Sequence, residues 1–192
     1  MHESVKRARE LVAKNKLGKL TYIEMKWSIG TLGQTKLPPL PRHMQWREKV
    51  LQAGGGAIMA RGVHLFDLLR FITGMEINEV RAYMDNTPST VDRTTIGIVL
   101  TDKKTPVVIV TSKIIPEADN SIALHGTKGR LIIRDLFSSD SGTLYTKVFD
   151  EFARAQNGKK TVLATLEDGL AVIAITGAFI SSSGKKRAVR VR

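Results

Sequence analysis

Between residues 77 and 134 the sequence reads as five strands in near-unbroken succession, at about 77–86, 93–101, 106–115, 120–125 and 129–134. Short runs of this kind, bounded by turn residues, read as strands. Asp102 to Thr105 and Gly126 to Lys128 are the hairpin turns. Strands joined this briefly pair antiparallel, because a parallel neighbour needs a crossover of a dozen or more residues. The pattern therefore excludes a doubly wound α/β chain.

Helices flank this block. Residues 4–16 place Val5, Ala8, Leu11 and Val12 on one face, with Ser4 as cap and Gly18 as stop. Thr21 to Trp27 alternates as a strand, with Thr21, Ile23, Met25 and Trp27 on one side. Residues 29–45 hold Gly30, Gly33, Pro38, Pro39 and Pro41 and read as loop. After Gly54-Gly55-Gly56 a strongly apolar helix runs from Ala57 to about Thr73, wide enough in its apolar face to be mostly buried, and Gly74 stops it. Beyond the strands come an amphipathic helix, Lys147 to Gln156, and a longer one, Leu166 to Ser182, with Glu167 and Asp168 favourable at its N-terminus. A short strand, Ala188 to Val191, ends the order. The expected class is α+β: a largely antiparallel open sheet with helices packed on one face, forming a single domain over 1–192.

Composition narrows function mainly by exclusion. There is no cysteine, so disulfides and thiolate metal sites are out, and a reducing compartment fits. Met1, His2 and Glu3 do not begin a secretory signal, and the longest apolar stretch, Leu170 to Ile180, is 11 residues, against the roughly 20 that a bilayer requires. A cytoplasmic protein without a membrane span is expected. The net charge is +12, yet Lys and Arg are scattered, with a clump only at Lys185, Lys186, Arg187, Arg190 and Arg192. Without aromatic interleaving this reads as a basic solvated surface rather than a nucleic-acid face.

No Gly-x-Gly-x-x-Gly follows a strand and opens a helix anywhere in the sequence. That turn is what brings backbone amides to a dinucleotide pyrophosphate. Gly54-Gly55-Gly56 lacks the third glycine at the required spacing, and Gly184-Lys185-Lys186 lacks the upstream glycine of a P-loop. Redox chemistry by this chain alone is therefore not expected. Gly-x-Ser-x-Gly is missing too, and His2, His43 and His125 are not spaced as metal ligands. His125 reads as a turn residue.

His64, in Gly62-Val63-His64-Leu65-Phe66-Asp67, carries the most chemistry. A histidine can accept the proton of an alcohol as that alcohol becomes a ketone. Asp67 and Arg70 follow at intervals of three and can share its helix face. The alternative is a satisfied, partly buried imidazole beside an ordinary Asp67–Arg70 ion pair. Arg47 can hold a sugar hydroxyl or carboxylate and Trp46 can wall the pocket; the alternative is surface packing at the end of a loop.

The string from Gln45-Trp46-Arg47 through Gly54-Gly55-Gly56 to Arg61-Gly62-Val63-His64-Leu65-Phe66-Asp67 and Gly74 resembles the C-terminal domain of the glucose–fructose oxidoreductase, inositol dehydrogenase and rhizopine-catabolism (Gfo/Idh/MocA) dehydrogenases. Ala8 to Leu20, His125 to Ile133 and Glu167 to Gly184 resemble the entering helix, a sheet hairpin and the closing helix of that domain. The resemblance implies NAD or NADP as cofactor, bound by a Rossmann domain outside this sequence, on the same or a separate chain. It implies a small-molecule substrate of sugar or polyol type and a homo-oligomer built through the sheet face. The family's catalytic lysine would lie in the Rossmann half. His64 matches the family's histidine, while the aspartate expected four residues earlier falls on Ala60. On this reading His64 is catalytic, and Trp46, Arg47 and Arg61 contact substrate. A degenerate relative, serving as a non-catalytic assembly module, is the alternative.

Overall fold

The computed structural model describes residues 2–30, 39–85, 91–115, 120–134 and 141–192. They build one seven-stranded open sheet in the order β6-β5-β1-β4-β3-β2-β7. The strands are β1 (Leu20–Ser28), β2 (Ile77–Asp85), β3 (Thr94–Thr101), β4 (Pro106–Ser112), β5 (Ser121–Gly126), β6 (Gly129–Arg134) and β7 (Val189–Arg190). The helices are α1 (Glu3–Ala13), the short α2 (Val50–Ala53), α3 (Val63–Thr73), α4 (Ser141–Gln156) and α5 (Leu166–Lys185). The fold is α+β, as the sequence pattern implies.

Consecutive strands pair antiparallel in β2–β3, β3–β4 and β5–β6. The expectation fails between β4 and β5. The N-terminal strand β1 lies between them, parallel to β4 and antiparallel to β5. Its alternation explains why it is central: Ile23 and Met25 are fully buried on the helix side, in register with Val107, Ile109, Leu124 and Ile122. A strand with such a face gains about 1.5–3 kcal/mol per large side chain by moving inward from an edge.

The core lies between this face and helices α1, α3 and α5. In α3 the inward residues are Leu65, Phe66, Leu69 and Ile72, the 3.6-residue stripe of an amphipathic helix. Phe66 meets Phe179 of α5 with ring centroids 5.0 Å apart. Gly97 of β3 makes room for that ring, since a Cβ there would lie 2.3 Å from Phe179 Cε1. The start of α5 is closed by a capping box, in which Thr165 accepts from the Asp168 amide and Asp168 accepts from the Thr165 amide. At 20 residues and mean hydropathy 1.3, α5 is long and apolar enough to span a bilayer by length and composition. Here Val172, Ile175, Ala178 and Phe179 are spent on the sheet.

Several local expectations shift. Helix α1 begins at Glu3, so Ser4 lies inside it and its Oγ meets His2 Nδ1 at 2.7 Å instead of capping the helix. The loop 29–45 falls partly outside the described residues; its end, Arg42–Glu48, is a 3₁₀ helix that starts as soon as the prolines are passed. The helix expected from Ala57 opens with one π-helical turn, Ile58–Gly62. His125 belongs to β5, not to a turn, and its ring lies 5.5 Å from that of Tyr22.

Candidate active site

The C-terminal ends of the parallel strands β1 and β4 meet the N-terminal end of antiparallel β3 at one edge of the core. Trp27 is the penultimate residue of β1, Lys113 follows β4, and Asp92 and Arg93 precede β3. The glycine run and the π-helical turn pack over this edge, which fixes where His64 can stand.

Asp92, invisible to motif reasoning, is the residue that anchors them. It is 1% exposed and accepts from the Gly56 amide at 2.6 Å, the Ile58 amide at 2.8 Å and Thr95 Oγ1 at 2.7 Å. Its own carbonyl accepts from the Ala57 amide at 2.9 Å. Three successive amides at the start of a helix, ordinarily unsatisfied, are thus closed by one residue. Gly56 permits this approach: a Cβ there would lie 1.8 Å from the Asp92 carbonyl oxygen. The glycine run is therefore a docking point for Asp92. Its amides are not free for a pyrophosphate.

Beyond this anchor, the π-helical turn carries Ala60 and Arg61, and α3 carries His64 in its first turn. A π turn inserted in a helix is frequent at functional sites because it re-aims side chains. Ala60 and His64 are both exposed, and the His64 ring centroid lies 5.4 Å from that of Trp27, tilted by 50°. Among the described residues its ring nitrogens make no hydrogen bond. Desolvation of the ring lowers its pKa below the usual histidine value; Asp67 opposes this and Arg61 adds to it. The neutral imidazole, the form that can take a proton, is favoured. With Ala60 in place of a carboxylate, Asp67 is the acidic group whose field reaches the ring. Desolvation in turn raises the Asp67 pKa, and Asp168 reinforces the rise.

The expected Asp67–Arg70 pair does not form. Arg70 turns to Glu76, at 2.7 and 3.0 Å, and to Asp168 at 2.7 Å. Bidentate geometry explains the choice, since Glu76 presents both oxygens to the guanidinium fork. A hollow of about 630 Å³ between α1, α3, α4 and the start of α5 is lined by Asp67, Arg70 and Asp168, but by neither His64 nor Arg61.

Arg61 behaves oppositely to Arg70. It is 8% exposed, and its Nε and Nη1 are buried without a hydrogen-bond partner. Its Cζ lies 5.9 Å from the Trp27 ring centroid. At that range a cation–π contact returns about 0.5–2 kcal/mol, against several kcal/mol for taking a lone charge out of water. Desolvation lowers its pKa, and no carboxylate among the described residues offsets the shift. Lys113 stands nearby, with only 16% of its side chain exposed and its Nζ 3.9 Å from Glu48. Desolvation lowers its pKa too, Glu48 and Asp92 oppose this, and Arg61 and Arg47 add to it.

The other two sequence candidates sit at the rim. Trp46 and Arg47 are exposed on the 3₁₀ helix, Arg47 Cζ lying 5.6 Å from the Trp46 ring centroid. The Glu48–Lys113 contact ties that helix to the end of β4 and keeps Arg47 within electrostatic reach of Lys113. The structure thus joins His64 and Arg61 around Trp27, with Arg47 on the approach and Trp46 turned to solvent. Sequence reasoning missed Trp27, Lys113 and Asp92. Trp27 was legible only as the last residue of a strand.

Comparison with solved structures shows that this fold is shared with other proteins along nearly the whole chain. An oxidoreductase domain protein from Kribbella flavida superposes with a TM-score of 0.83 at 19% identity, covering 98% of this chain and 63% of that one. Scyllo-inositol dehydrogenase from Lactobacillus casei, with bound NAD(H) and scyllo-inositol, gives 0.75 at 20%, covering 99% and 62%. A levoglucosan dehydrogenase in complex with NADH and levoglucosan gives 0.79 at 16%, covering 100% and 66%. The chain spans less than two thirds of the length of each of these three. No curated protein matches. A family profile described as the GFO/IDH/MocA C-terminal domain matches residues 5–132, more than half of the sequence, and the chain belongs to that family.

Proposed function

We propose that this chain is the substrate-binding and oligomerisation domain of an NAD(P)-dependent oxidoreductase that acts on a CH–OH group of a sugar- or polyol-like molecule. The observation that carries the reading is the His64 ring: held against Trp27, biased to its neutral form, with both nitrogens unspent. Such a ring can accept the hydroxyl proton while Trp27 offers an apolar wall to a sugar face. Inositol and levoglucosan dehydrogenases among the structural relatives support the substrate class.

The dinucleotide would be held by a Rossmann unit outside the described residues, because the amides of the glycine run are spent on Asp92. Calorimetric titration of this chain with NAD or NADP is expected to show no saturable binding. Adding a Rossmann polypeptide of the same family is expected to give binding and polyol-dependent NADH or NADPH formation at 340 nm. Tight NADH binding by this chain alone would contradict the reading.

The face of the sheet opposite the helices supports assembly. Tyr83 and Ile96 pair across β2 and β3 on this face, beside Ile98, and all three are exposed. A second copy of this chain, meeting sheet to sheet, would cover them. Sedimentation equilibrium is expected to give a dimer or larger, and Tyr83→Glu with Ile98→Glu a monomer; a monomeric wild type defeats this part. The non-catalytic alternative draws on Ala60, and would be favoured if polyol turnover by the assembled pair were indifferent to His64.

A further inference from the structure

Arg61 poses a problem that packing does not answer. A buried guanidinium is normally paired with a carboxylate or with carbonyls, as Arg70 is in the same stretch of chain. Arg61 has neither for its Nε and Nη1, although the residue is more than nine-tenths buried. A methionine or leucine would fill the same space at the helix–sheet junction without the desolvation cost. Asp92, the buried acid at these strand ends, spends both carboxylate oxygens on the Gly56 and Ile58 amides and on Thr95.

Lys113 is a second cation withdrawn from solvent at the same strand ends, and Arg47 is a third on the approach. Among the described residues Glu48 is the one acid in contact with Lys113, at 3.9 Å, beyond ordinary hydrogen-bond length. Like charges gathered at a partly dry site raise one another's cost unless an anion joins them. Trp27 connects this cluster to His64, since both the Arg61 guanidinium and the imidazole lean on its ring.

We propose that Arg61, backed by Lys113, receives an anionic group on the substrate, so that this domain takes acidic sugars, in the first instance sugar carboxylates, in preference to neutral ones. This rests on the reading of His64 and Trp27 as a sugar site. The carboxylate would supply the acceptors that Arg61 lacks, and would set the ring so that a hydroxyl, not the acid group, faces His64. A phosphate ester offers the same chemistry, and the test separates the two.

The test is calorimetric titration of this chain with D-glucuronate, D-glucose and D-glucose 6-phosphate, with the His64 imidazole resonances followed by NMR. D-Glucuronate is expected to bind at least tenfold more tightly than D-glucose. In Arg61→Met the ratio of the two affinities should fall to about one, and in Lys113→Met it should fall about threefold. Arg61→Met should also melt at a higher temperature than wild type, because a site residue burdens the empty domain. Arg61→Lys keeps the charge and should retain part of the preference.

A preference for D-glucose 6-phosphate that depends on Arg61 supports the site with phosphate as its anion. A lower melting temperature in Arg61→Met, with the acid preference intact, assigns Arg61 to structure and overturns the proposal. If D-glucose moves the His64 resonances but D-glucuronate binds no more tightly, the anion site falls and the sugar domain stands. If no saccharide moves them, both fall.

Discussion

Replacing His64 with alanine is expected to lower the turnover of the assembled oxidoreductase by about 10²–10⁴-fold, the usual contribution of a positioned general base. Stability should change little, since the residue is exposed and makes no hydrogen bond among the described residues. The pH profile makes the prediction specific. The base acts when neutral, so kcat/KM should fall with acid as the imidazole protonates. Desolvation lowers its pKa, so that limb should lie below the ordinary histidine value near 6.5. Asp67 opposes the shift, so Asp67→Asn should move the limb further towards acid. Steady-state rates between about pH 4.5 and 8 would test both. A limb that stays in place in Asp67→Asn, or a His64→Ala enzyme with full activity, removes His64 from the chemistry.

The second large effect concerns the anchor. Asp92→Ala strips the partners from two buried amides and one hydroxyl. At about 1–3 kcal/mol for each of the three orphaned groups the loss should reach roughly 3–9 kcal/mol, enough to unfold many domains of this size. Gly56→Ala should cost a comparable amount by a different route, because its Cβ would meet backbone, which cannot swing aside as a side-chain tip can. Urea unfolding followed by circular dichroism would measure both, and because the groups touch, the double variant should cost less than the sum. A loss below about 1 kcal/mol in Asp92→Ala would show that the amides find water instead.

Both predictions rest on residues of unequal legibility. The strands and the buried face of α3 could be read from Ile23, Met25, Leu65, Phe66 and Leu69, because periodicity records which side meets the core. His64 was legible through its glycine setting. The position of β1 was not, since alternation says that a strand has a buried face but not which neighbours it takes. Asp92 was illegible for a related reason: it has no spacing relation to Gly56, 36 positions earlier, and only the folded chain brings them together. Arg61 could be suspected as atypical, but its missing partners are a property of three dimensions. The Asp67–Arg70 pair failed because helical spacing alone cannot weigh Glu76 and Asp168 as rivals for the same guanidinium.

The central place of β1 also sets a timetable for biosynthesis. Its residues leave the ribosome before those of its neighbours, for Ile23 pairs with Val107 on one side and Leu124 on the other. At about 5–20 residues per second, roughly 80–100 residues of further synthesis leave this apolar strand without its neighbours for some 4–20 s. Pairings so distant in sequence also make the search itself slow. The segment Leu20–Ser28 is thus where a nascent chain of this family is most exposed to wrong partners, and where a chaperone would have most reason to hold it.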